Sequence, residues 1–272
     1  MGNKQILVEE KGSSHIHSAF YWAFSDTIVM AKREFKRVGR NSDEMLGATL
    51  VPILFFMVFR FVFGWSISIP GTSYVNYLTA GLLTMSVMFG SASTALGLVT
   101  DLGNGIIDRF ASLPMARSAI LTGRTLSTLV RNLINIIVVG LISFLLGFRP
   151  TGSIVSCLMA VGLLLLGCLT FSWFFILLGL SVKSLEMFSS VAPIFTLAFV
   201  FFSSGLAPTN NMPHLLRIYI EHQPVSLLIN AVRGLLLNQT DTFAIWQTII
   251  WFVPLLFVFI PISVRIYKQR TV

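Results

Sequence analysis

Residues 154–182 read IVSCLMAVGLLLLGCLTFSWFFILLGLSV, a run without a single Asp, Glu, Lys, Arg or His. As a helix rising about 1.5 Å per residue it is about 43 Å long, more than the ~30 Å hydrocarbon core of a bilayer. Four further runs reach the same length class: approximately Leu46–Trp65, Tyr77–Thr100, Thr125–Phe148 and Phe243–Val264. A sixth, Met187–Leu206, is shorter and contains Pro193, which a membrane helix tolerates when neighbours satisfy the carbonyl it frees. The pattern predicts an all-α integral membrane protein with six transmembrane helices.

Composition agrees. The 272 residues are 55% hydrophobic and 11% charged, with a mean hydropathy of +0.82, whereas soluble domains carry about 25% charged residues. A water-soluble fold is excluded. The net charge of +8 does not point to nucleic acid, because the basic residues sit beside the apolar runs, where they act as topology signals. With the N-terminus inside, 15 of the 19 Lys and Arg fall in cytoplasmic segments, four of them within 101–131, leaving Arg60, Arg149, Arg217 and Arg233 elsewhere. Both termini are therefore expected in the cytoplasm. Cys157 and Cys168 share one run about three turns apart, so they do not bridge each other, and no C-x-x-C metal spacing occurs. The first forty residues carry charges throughout, so no cleavable secretory signal is expected.

Three regions follow: a polar arm over 1–17, an amphipathic interface helix over 18–42, and a permease domain over 43–272. In the second, Tyr21, Phe24, Ile28, Ala31, Phe35 and Val38 share one helical face and Lys32, Arg33, Lys36, Arg37 and Arg40 fill the other. Such a helix lies among lipid headgroups, and its cationic face also suits a cytoplasmic partner. The segment 207–241 is expected to form an outer hairpin of two short helices broken at Gln223–Pro224, re-entrant or lying in the interface, since neither half is long enough to span.

Between the second and third runs, residues 101–124 read DLGNGIIDRFASLPMARSAILTGR. A helix starting near Gly105 and stopped at Pro114 has about two turns, too few to persist without a neighbour. Asp108, Arg109 and Arg117 offer charges that pair with a complementary groove and fix its register. No G-x-x-x-x-G-K-[ST] phosphate loop occurs in the chain, so energy from ATP has to enter through another subunit.

The segment resembles the signature of type-2 ABC transporter permeases, most closely the branch around the daunorubicin-resistance exporters. The matching positions are Asp101, Gly105, Asp108, Arg109, Leu113, Pro114, Arg117, Gly123 and Arg124, and Gln223-Pro224 to Arg233-Gly234 resembles the family's late outer run. The resemblance implies an ABC subfamily G-like exporter fold in the cell membrane of a bacterium. It also implies a homodimer, or a pairing with a close paralogue, that binds two copies of an ABC ATPase. Coupling to that ATPase would fall to Gly105, Asp108, Arg109, Leu113, Pro114, Arg117 and Arg124. ATP and Mg would be bound by the ATPase, with no cofactor or metal on this chain.

For cargo, polarisable and aromatic side chains suit a hydrophobic or amphipathic compound. Met85, Met88 and Phe89 in the second run and Phe195 and Phe199 in the fifth are the candidates, because the resemblance places those spans beside the central cavity. Arg60 is taken as the ionisable residue within the spans, snorkelling to headgroups or facing the pathway. The competing readings are a membrane-embedded enzyme or a channel. For the first, His214, Glu221 and His222 are the best offer and no nucleophile accompanies them at useful spacing. For the second, a polar pore ring is lacking.

Overall fold

A computed structural model describes residues 42–65, 67, 69–103, 117–209, 212–239 and 241–270. The N-terminal arm, the expected interface helix over 18–42 up to residue 41, and residues 104–116 lie outside the described residues.

The chain folds as α1 (Ser42–Val58), which widens into a π-helical turn (Phe59–Phe63), then α2 (Tyr74–Gly103), α3 (Arg117–Leu145) and α4 (Ile154–Ser181). These are followed by α5 (Leu185–Phe201), α6 (His214–His222), α7 (Pro224–Leu236) and α8 (Thr242–Arg270). Among the described residues, four helices are long and apolar enough to cross a membrane: α2, the Gly123–Leu145 part of α3, α4, and α8 over Thr242–Tyr267. Thr49–Phe63 and Leu185–Phe201 are shorter apolar helices. The helices carry exposed Trp246, Ile250, Trp251 and Phe257 on α8 and Ile154 and Leu158 on α4, surfaces that are compatible with lipid rather than water.

Local sequence explains the boundaries. Ser153 caps α4 by accepting from the Ser156 amide, and Ser184 caps α5 by accepting from the Met187 amide. Asp241 does the same for α8, taking the amide of Phe243. Proline marks the break between α6 and α7, where Gln223 is extended and Pro224 opens the next helix. That break falls where the sequence places it.

At the centre stands α2, in contact with α1, α3, α4, α5 and α7 and buried on nearly every side. Its small residues, including Ala80, Gly81, Gly90, Ser91 and Ala95, let neighbouring backbones come close. Gly81 meets Gly205 so tightly that a methyl group on either would touch the other's backbone or Ile229. α7 is wedged between α2, α4 and α8 with Val225, Leu228, Ile229, Val232 and Leu235 buried. α6 instead leaves Leu215, Ile218 and Tyr219 exposed.

Candidate coupling and translocation site

Segment 101–124 leaves one helix and enters the next from a fixed base. Asp101, in the last turn of α2, and Arg124, in the third turn of α3, form an ion pair with both side chains buried. The same guanidinium reaches the Thr94 carbonyl at 3.3 Å. A polar seam continues along the two helices. Thr128 donates to Thr94 at 2.7 Å, Arg131 donates to the Gly90 carbonyl at 2.8 Å and to the Thr94 hydroxyl, and Asn135 donates to the Ser86 carbonyl at 3.2 Å. On α3 these side chains recur at spacings of four, three and four residues, one helical face turned on α2. Asn132 lies beside them, fully buried, its amide oxygen pressed on the bare Cα of Gly90.

Of the residues expected to couple to a partner, Gly105, Asp108, Arg109, Leu113 and Pro114 lie outside the described residues. Arg117 opens α3, but its side chain is not among those described. Arg124 faces α2 rather than the surface. Arg131 corrects the expectation that Arg60 is the ionisable residue of the spans, since it sits inside the Gly123–Leu145 span with 6% exposure. Counting it as a positive loop residue hid it. The signal available in the sequence was its place on one face with Arg124, Thr128 and Asn135.

An open apolar groove of about 450 Å³ runs between α1, α2 and α5, lined by Val51, Phe89, Ala92, Phe188, Ala192 and Thr196 among others. Phe89 lines this groove. Met85 and Met88 are fully buried in the packing of α2. Phe195 and Phe199 turn to α4, their ring centres 5.9 and 5.8 Å from that of Phe174. Arg60 lies in the π-helical turn with its guanidinium 5.9 Å from the Phe61 ring centre. The residues that sequence reasoning missed, Ala92, Phe188, Ala192 and Thr196, are small or aromatic positions whose common face appears only once α5 is docked.

At the opposite end of α5 a second polar cluster holds the turn Ser203–Ala207. Arg233 on α7 donates to the Ser204 carbonyl at 2.7 Å, to the Tyr77 carbonyl at 3.2 Å and to Asn230 at 2.8 Å. Tyr77 and Tyr74 donate to the carbonyls of Ser204 and Leu206, each at 2.8 Å. Gln223 donates to the carbonyls of Phe199, at 3.3 Å, and Phe202. On α6, Glu221 accepts from Arg217 and Thr209, both at 2.8 Å, and the Arg217 bond holds its carboxyl below the usual carboxylate range. His214, Glu221 and His222 are not gathered around a shared point, and among the described residues no three His, Cys, Asp or Glu could hold a metal ion.

The sequence profile of the ABC-2 type transporter family matches residues 25–237. The chain belongs to that family. This ABC-2 permease is similar to a daunorubicin resistance ABC transporter permease protein of Streptomyces coeruleorubidus, 24% identical over 91% of this chain and 88% of the relative. It is also similar to a probable doxorubicin resistance ABC transporter permease protein of Mycobacterium tuberculosis, 27% identical over 77% of this chain and 76% of the relative. A Cyanophora paradoxa chain that carries the name transport permease is 27% identical over 88% and 82% of the two lengths. The likeness therefore reaches wider than the bacterial source expected. As an ABC-2 permease with long apolar helices it is a multi-pass membrane protein and the transmembrane subunit of an ABC transporter, and membership implies an ABC ATPase partner in general.

Proposed function

We propose that this permease exports a hydrophobic or amphipathic compound, driven by two ATPase subunits that dock on segment 101–124 of two permease copies. The observation that carries the proposal is the buried Asp101–Arg124 pair. It clamps the two ends of the segment bearing the family-like residues, so a partner pushing on Asp108, Arg109 and Arg117 pushes on two long helices at once. ATP and Mg belong to the ATPase, which supplies the hydrolysis.

The proposed arrangement is six spans, with α1 and its π turn, α2, α3, α4, α5 and α8 crossing and both termini cytoplasmic. α6 and α7 then form the outer hairpin, α7 dipping in among the spans and α6 resting its exposed Leu215, Ile218 and Tyr219 on the interface. The interface helix over 18–42 precedes them on the cytoplasmic side.

The groove between α1, α2 and α5 suits the cargo class. Its lining is apolar apart from Ser93, Ser189 and Thr196, and a planar aromatic compound with a polar rim fits that chemistry. Relatives whose names refer to daunorubicin and doxorubicin resistance agree with such a cargo. The test is ATP-dependent daunorubicin uptake by inside-out vesicles holding the permease and its ATPase. Uptake that needs both subunits supports the proposal; uptake without ATPase, or none with both, rejects it.

A further inference from the structure

We infer that Arg131, with Thr94 and Asn135, welds α2 to α3, so that the segment between them moves both helices as one lever reaching the middle of the membrane. The inference rests on the proposed reading of segment 101–124 as the place where the ATPase acts. Arg131, Thr94 and Asn135 are positioning residues in this scheme, since none needs to touch ATPase or cargo.

The seam is a ladder of direct bonds. From Arg124 to Asn135 it climbs about 16 Å along α3, roughly half the hydrocarbon thickness. Its rungs are the Asp101–Arg124 pair, Thr128 to Thr94, Arg131 to Gly90 and Thr94, and Asn135 to Ser86. Two of the four use a guanidinium. Sliding one helix past the other would break all rungs together, and no water is present in the bilayer core to replace them. Stranding a guanidinium there is far costlier than losing one neutral bond. Shear between α2 and α3 is therefore suppressed, while rotation of the pair as a body is free of that cost.

The weld also collects its neighbours at mid-depth. Thr49 of α1 donates to Asn135 at 2.7 Å, and Ser91 of α2 reaches the Cys168 carbonyl of α4 at 3.4 Å. Across the groove, by contrast, α5 presents Phe188, Ala192 and Pro193 to α1 and α2, apolar contacts that part at less cost than the seam's bonds, while the far end of α5 stays held by Tyr74, Tyr77 and Arg233. Relative motion is thus directed to the groove side, where cargo is proposed to sit, and away from the α2–α3 seam.

The test joins the two helices permanently. In a Cys157→Ser, Cys168→Ser background, Thr94→Cys with Thr128→Cys places two thiols where the hydroxyls now stand 2.7 Å apart. Oxidised and reduced forms are compared, in complex with the ATPase, for daunorubicin-stimulated ATP hydrolysis and daunorubicin uptake. Retention of both within about twofold after oxidation is expected, because the helices do not move relative to one another. Loss on oxidation with recovery on reduction would overturn the weld.

Arg131→Met and Arg131→Lys supply an independent readout. Met is expected to keep ATPase pull-down but to lower daunorubicin moved per ATP about tenfold, with Lys recovering part through the Gly90 carbonyl. Wild-type transport per ATP in the Met variant would also overturn the weld. If the wild-type chain neither binds the ATPase nor takes up daunorubicin, the proposed function fails instead, and the lever fails with it.

Discussion

Arg233 of α7 lies over the ring of Tyr77 of α2, its guanidinium carbon 3.6 Å from the ring centre. Beneath it the Tyr77 hydroxyl and the Arg233 guanidinium grip the same carbonyl, that of Ser204. The C-terminal end of α5 is thereby fastened to two other helices. Arg233→Met removes the cation over the ring and the guanidinium's hydrogen bonds to the Ser204 and Tyr77 carbonyls and to Asn230, which should lower stability by about 2 kcal/mol. Thermal denaturation in detergent reads the change, and an unshifted midpoint would show the clamp to be idle.

A second relationship is steric. A methyl group on Gly90 would overlap the Asn132 amide oxygen, so Gly90→Ala should part the α2–α3 seam and sharply reduce the yield of folded protein. Adding Asn132→Ala removes the obstacle and should restore most of that yield, a coupling characteristic of residues in contact. Independent, additive losses in the double variant would contradict the packing described.

The long helices were legible because a bilayer demands length and apolarity, both of which are one-dimensional. Ile154–Ser181 and the break before Pro224 fall within a residue or two of where hydropathy and proline chemistry put them. The seam was not legible in the same way. Arg131 looks like a loop cation until the register of α3 against α2 lays it on the Gly90 carbonyl, and register is a property of two helices rather than one sequence. The aromatic residues of α5 teach the same lesson: Phe195 and Phe199 stand in ring contact with Phe174 while smaller Ala92 and Ala192 face the groove, a division set by how α5 packs.

Filling the groove separates cargo binding from ATPase docking. Ala92→Phe adds a ring where the cavity of about 450 Å³ meets α2. It should raise the daunorubicin concentration needed for half-maximal stimulation of ATP hydrolysis about tenfold while leaving ATPase pull-down unchanged. Stimulation at the wild-type concentration would place the cargo elsewhere.

Topology is tested by reporters after Val272 and at Asn210. The distribution of Lys and Arg predicts that the first reads as cytoplasmic and the second as external. Both on one side would remove the six-span arrangement.

The central claim is that segment 101–124 receives the ATPase, and capture of the ATPase by tagged permease tests it most directly. Arg109→Glu reverses a charge on that segment. If it is desolvated against an acidic groove, the change costs about 2–5 kcal/mol of association, enough to abolish capture at micromolar concentrations. The variant should still reach the membrane in wild-type amount, because Arg109 belongs to none of the long apolar runs of the sequence. Loss of ATPase from the variant with full recovery from wild type is the predicted result. Equal recovery from both would contradict the account.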